Sequence, residues 1–273
     1  MKTILVPLDF SKASQNALQY AGELAHFGDA QLILCHVYSL PTVISEVPVV
    51  LPTSEELEES SKKKLTKIEK KLHLSYGFAI NSIIVGGFAE EEIVVIAEKY
   101  NADLIVMGMK GAGIIAEKII GSVTTSVIQK SKVPVLSINE HLKFRRIDKI
   151  ALAVDYLEMK NAKGITVLKE IAKLFEAHIF VVNVVEDPKT MPTITSTVAG
   201  IKLDHVLEGV AHSFHLSENK DVIEGINSFV DLKKIDMTVM VPRHHTFLKT
   251  VFTEANTKKM AFHASVPLLI LPE

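Results

Sequence analysis

Three shortages narrow this sequence before any motif is considered. It has one cysteine, Cys35, so no disulfide can close within the chain. The setting of that cysteine, Gln31-Leu-Ile-Leu-Cys-His-Val, is that of a buried strand. A free thiol suits a reducing compartment, and the expected location is the cytoplasm. Charge of neither sign is in excess: 30 Lys and Arg face 32 Asp and Glu, a formal net charge of −2. This argues against nucleic acid or an anionic membrane as the main partner. No run approaches the roughly 18 apolar residues of a membrane span. The chain enters an apolar strand at Thr3-Ile-Leu-Val without a basic segment before it, so no signal peptide is expected.

Several chemical signatures are missing as well. No Gly-x-x-x-x-Gly-Lys-Ser/Thr phosphate loop occurs, and no Gly-x-Gly-x-x-Gly with an acidic residue about 20 positions on. His205, His212, His215 and the pair His244-His245 have no cysteine company and no His-Glu-x-x-His spacing. On a strand, His212 and His215 point to opposite faces. No metal site is expected.

What the chain does have is alternation. Ile4 to Leu8, Gln31 to Val37, Phe78 to Val85, Leu104 to Met107 and Val133 to Ile138 are short apolar runs, as expected of strands buried on both faces. Amphipathic stretches separate them. Ser11 can cap a helix with Ala13, Ala17, Leu18, Ala21, Leu24 and Ala25 inward, stopped at Gly28 and Asp29. Thr53 or Ser54 can cap a charged helix with a narrow Leu57, Leu65, Ile68, Leu72 stripe. Strands alternating with helices predict a parallel sheet with right-handed crossovers.

The second half repeats the first. Ile150-Ala-Leu-Ala-Val-Asp155 matches Ile4-Leu-Val-Pro-Leu-Asp9, and Ile179-Phe-Val-Val-Asn-Val184 matches Leu32-Ile-Leu-Cys-His-Val37. Ile235-Asp-Met-Thr-Val-Met240 matches Ala102-Asp-Leu-Ile-Val-Met107, and Val266-Pro-Leu-Leu-Ile matches Val133-Pro-Val-Leu-Ser. A duplicated α/β unit follows, with domains expected at 1–140 and 147–273. The stretch between them, with His141, Lys143, Arg145 and Arg146, reads as a solvated polar join. Val133 to Ile138 and Val266 to Leu271 are terminal, edge-like strands. Pairing them antiparallel would cover both edges and pack the halves as an internal pseudo-dimer.

The stretch with most chemistry runs from Asp103 to Leu136. Gly108 ends a strand, Gly111 follows in the loop, and Gly121-Ser122 precede a helix that Ser122 suits as N-cap. Such a loop offers backbone N–H groups and the positive end of a helix dipole to an anion such as phosphate. The plain alternative is two loop-ending glycines and an ordinary cap.

The spacing Gly-x-x-Gly, nine residues, Gly-Ser resembles the ATP-binding signature of the universal stress protein family, of the UspA-like kind. The order of elements over the whole chain resembles its tandem form. The resemblance implies two doubly wound parallel five-stranded sheets of strand order 3-2-1-4-5, the adenine nucleotide alpha hydrolase-like fold. It implies that Pro7, Asp9 and Val37 line the adenine and ribose region. Met107 and Gly108 follow the ribose and first phosphate, and Gly111, Gly121, Ser122, Val123 and Thr124 hold the phosphates. Asp9 has an alternative as an Asx-turn or capping residue, and Lys110 one as an exposed loop lysine. The implied ligand is ATP, or ADP or AMP, with magnesium as its optional companion.

No second carboxylate lies near Asp9 in sequence, and no poised general base is visible. The expected function is therefore nucleotide binding in a stress or regulatory role, with at most slow ATP hydrolysis. The competing reading is a ligand-free module acting through an unknown protein partner, and a homodimer of chains is the expected assembly. Aligned without gaps, Gly108, Gly111, Gly121 and Ser122 become Val241, His244, Glu254 and Ala255. One nucleotide per chain is expected, in the first half.

Overall fold

The computed structural model describes residues 1–39, 52–77, 80–109, 121–154, 162–185, 194–241 and 265–272. In the first half the elements are β1 (Thr3–Pro7), α1 (Lys12–Gly28), β2 (Gln31–Tyr38), α2 (Ser54–Tyr76), β3 (Ile80–Gly86), α3 (Ala89–Lys99), β4 (Leu104–Gly108), α4 (Ser122–Lys130) and β5 (Val135–Ile138). In the second they are β6 (Lys149–Ala153), α5 (Ala162–Phe175), β7 (His178–Val185), α6 (Ile194–Val206), β8 (His212–Glu218), α7 (Val222–Lys233), β9 (Met237–Met240) and β10 (Leu268–Ile270).

Local chemistry sets the helix ends. Ser11 caps α1 by accepting from the Ser14 amide, and Asp29 closes it in the left-handed region. Thr53 and Glu56 form a reciprocal capping box at the start of α2. At α4 the expectation shifts by one residue: Gly121 is the N-cap, and Ser122 is the first helical residue with no side-chain cap bond.

The strands form one sheet in the order β3-β2-β1-β4-β5-β10-β9-β6-β7-β8. The first half is the 3-2-1-4-5 arrangement, and the second repeats it in mirror order across the seam. All pairings are parallel except β5 with β10, where Ser137, Leu136 and Val135 face Leu268, Leu269 and Ile270 antiparallel. The two edges cover each other, as the edge argument requires. Leu136 and Leu269 are fully buried at this seam. One apolar layer, under α1, α2, α5 and α6, runs across both halves, and a second lies on the opposite face.

The repeat is also visible in single bonds. Asp103 accepts from the Lys2 and Thr3 amides, and Asp236 accepts from the Asp148 and Lys149 amides. The connector between the halves departs from the solvated join expected. Phe144 lies 4.9 Å from the Tyr20 ring, 5.7 Å from Phe27 and 6.1 Å from Phe175, and Ile147 is buried. Asn16 Nδ2 donates to the carbonyls of Asn139 and Leu142, and Arg146 donates to the Phe175 carbonyl at the end of α5. The connector carries an apolar residue between its charges, so it docks on α1 and α5.

Candidate functional site

In an open parallel sheet, the place for a ligand is beyond the C-terminal strand ends where the strand order reverses. That place lies between β1 and β4, which pair at Ile4 with Leu104 and Leu5 with Ile105. Pro7 is the last residue of β1 and is buried. Asp9 follows it, exposed, with Oδ1 accepting from the Ser11 amide at 3.0 Å. This is the Asx-turn geometry. Val37 lies near the end of β2, half-buried against the layer that holds Met107. The Met107 side chain is itself in the core, 5% exposed, so only its backbone faces the strand end.

Gly108 closes β4. A Cβ built there would lie 2.7 Å from the Ala13 carbonyl carbon and 2.9 Å from the Ala13 Cβ and oxygen. The glycine therefore serves close packing of β4 on the first turn of α1, a role beside the strand end and phosphate approach that its spacing suggests. Across from it, Thr124 is buried and donates its hydroxyl to the Gly108 carbonyl at 2.9 Å. That bond ties the first turn of α4 to the end of β4. Gly121 donates its amide to the Met109 carbonyl, and Met109 donates to Ile138. Ser122 is exposed and Val123 half-buried. Among the described residues no acidic side chain stands in the first turn of α4, so none within that turn offsets the positive end of its dipole. Gly111 and Lys110 lie outside the described residues, as do Asp155, His244, Glu254 and Ala255 in the second half.

Sequence reasoning passed over a second group at the same strand ends. Phe10 has φ 63°, a region that costs a bulky residue about 1–2 kcal/mol. Its ring centroid lies 4.4 Å from that of His36, and Lys64 Nζ from α2 lies over the ring, 4.9 Å from the centroid. His36 Nδ1 is 2.6 Å from the Leu8 carbonyl oxygen. The carbonyl only accepts, so Nδ1 carries the proton. Burial holds the His36 pKa below its ordinary value; the Leu8 bond works against this, Lys64 adds to it, and Asp9 opposes it. A polar residue at the end of an apolar strand was the one available sign of this group.

In the second half, Val241 stands after β9 where Gly108 closes β4, and it is half-buried. Among the described residues no group of three or more His, Cys, Asp or Glu side chains is gathered as metal ligands would be. His178 Nε2 and His215 Nε2 each lie 2.8 Å from Ser213 Oγ, whereas His212 pairs with Asp204. Among the described residues no helix is long and apolar enough to cross a membrane.

Comparison with known proteins agrees with this architecture. A family model described as the universal stress protein family matches residues 1–139. A universal stress protein of Methanocaldococcus jannaschii is 36% identical over 151 residues, 50% of this chain and 93% of its own. One of Synechocystis is 34% identical over 137 residues, 50% of this chain and 83% of its own. The crystal structure of a universal stress protein from Archaeoglobus fulgidus covers 99% of this chain and 98% of its own with a TM-score of 0.75. At 20% identity this speaks to the fold of both halves.

Proposed function

The chain belongs to the universal stress protein family, and from that premise we propose that its first half binds ATP or a related adenine nucleotide in a stress or regulatory role, with little or no turnover. The observation that carries the reading is the helix start at α4. It has a glycine cap, no side-chain cap bond and no acid in its first turn, and Thr124 ties it to the end of β4. Backbone N–H groups held this way suit an anion, each charge-assisted bond contributing about 1.5–3 kcal/mol. Asp9 and Val37 supply a polar and an apolar contact on the β1 and β2 side, suited to ribose and base. Magnesium, where present, would come with the phosphates.

The domains of this reading are 1–140 and 147–273, and the nucleotide sits in the first alone. Val241 in place of Gly108 and Glu254 in place of Gly121 remove close backbone approach and add a like charge. The buried free thiol of Cys35 suits a reducing cytoplasm.

Calorimetry on nucleotide-free protein with ATP, ADP and AMP tests the reading, beside mass spectrometry of whatever nucleotide co-purifies. One site per chain is expected. No binding of any of the three, or two equivalent sites, would overturn it. Release of phosphate at rates typical of ATPases would overturn the statement on turnover.

A further inference from the structure

The His36 bond has a counterpart in the other half. There Asn183 Nδ2 donates to the Val154 carbonyl at 2.9 Å. The repeat places Asn183 on His36 and Val154 on Leu8. The neighbouring backbone bonds match too: the Leu8 amide donates to Cys35 at 2.7 Å, and the Val154 amide to Val182 at 3.0 Å. In both halves, then, the carbonyl just before the aspartate is taken by a side-chain N–H from the adjacent strand.

The physical reason lies in the end of the ladder. The strand β1 ends at Pro7 and the Leu8 amide makes the last rung, so the carbonyl of buried Leu8 needs another donor. Imidazole and carboxamide share one thing here, an N–H at the δ position, the same reach from the backbone. The ring, the charge and the ability to titrate are not shared. The repeat thus retains the donor and nothing else.

The residue after this anchor is Asp9, and the next is Phe10, at φ 63°. A bulky residue stays in that region only when its surroundings determine it. His36 reaches it twice, by the Leu8 carbonyl and by the 4.4 Å ring contact. We infer that His36 is a positioning residue: its Nδ1–H fixes the turn that directs Asp9 at the ligand. This rests on the nucleotide reading above, in which Asp9 meets the ribose or base.

Three chains decide it: the wild type, His36→Asn, which copies the second half, and His36→Leu, which fills the space without a donor. Two measurements are made on each, ATP affinity by calorimetry and hydrogen exchange of the Ser11 amide in ligand-free protein. That amide bonds to Asp9 Oδ1 and reports the turn. His36→Leu should bind ATP about tenfold more weakly, the effect of one hydrogen bond, with Ser11 exchanging about tenfold faster. His36→Asn should restore both toward wild type. A folded His36→Leu chain with unchanged affinity and exchange would overturn the inference, and so would a folded His36→Asn chain that fails as His36→Leu does. Should the wild type bind no nucleotide, the functional reading fails, and Ser11 exchange alone then decides the positioning role.

Discussion

Adding one methyl group at Gly108 should cost stability, and the amount can be worked from the contacts it would make. The new Cβ would meet the Ala13 carbonyl carbon at 2.7 Å and its Cβ and oxygen at 2.9 Å. Ordinary carbon contacts lie at about 3.5–4.0 Å. Two of the three atoms are backbone, in the first turn of α1, so no rotamer change relieves the clash. The strand end and the helix start must separate by roughly 0.6–0.8 Å to reach the inner edge of that range. Both are held, α1 by its Ser11 cap and β4 by Thr124. Overpacking of this kind costs about 1–3 kcal/mol, offset by ~0.4–1 kcal/mol because alanine restricts the unfolded chain. A net loss of about 2 kcal/mol is at the upper end of that balance. At about 2.1 cal/mol/K for each residue, a cooperative transition of the full chain falls by about 3–4 °C. Thermal unfolding of Gly108→Ala followed by circular dichroism measures this. Gly28→Ala is the control, since its Cβ would meet only side-chain atoms, the nearest at 3.4 Å, and it should hold or raise the midpoint. A Gly108→Ala protein that melts with the wild type would refute the packing role given to this glycine.

Other outcomes follow from the site and the core. Gly121→Glu, which copies the second half, should abolish the ATP-dependent thermal shift; in the wild type, ligand at ~1,000 times Kd adds about 4 kcal/mol, or about 7 °C for the full chain. Glu254→Gly alone should create no second site, and calorimetry distinguishes the two. Burial lowers the pKa values of His36, His178 and His215, so the unfolded chain takes up protons first on acidification. Stability should therefore fall as pH drops below the ordinary histidine value of about 6.5; denaturant midpoints constant from pH 7 to 5 would contradict this. Burial, with Glu92 adding, pushes the Cys35 thiol up to about 12, so thiol reagents at pH 8 should label it only as fast as the chain opens. Phe144→Ala should cost about 2–3 kcal/mol, somewhat below the value for a fully buried ring, read as a lowered denaturant midpoint.

The parts of the fold that could be read from residues were those set by short-range rules. Apolar runs such as Leu104 to Met107 are strands because both faces are buried. Ser11 and Thr53 cap helices because their oxygens meet amides one turn ahead. The seam followed from the two uncovered edges, a negative constraint as informative as any motif. What stayed hidden depended on distance in three dimensions. Phe144 looked like part of a charged connector because its partners, Tyr20, Phe27 and Phe175, come from two helices in different halves. Phe10 gave no sign of a left-handed backbone, since nothing in Asp-Phe-Ser demands one. Gly108 suggested a loop for an anion, and its contact with Ala13 appears only once α1 is laid against β4. Ser122 seemed the cap because serine suits that role, yet the turn places Gly121 there.

The seam between β5 and β10 also sets a clock. The residues that cover β5 lie about 130 positions further along the chain. At about 5–20 residues per second of synthesis, the edge of a finished first half waits roughly 6–26 s for its partner. During that interval Val135, Leu136 and Ser137 present open N–H and C=O groups. A neighbouring nascent chain at the same stage offers an identical edge. On a crowded polysome, slowing translation between β5 and β10 should therefore raise the yield of chains joined first half to first half.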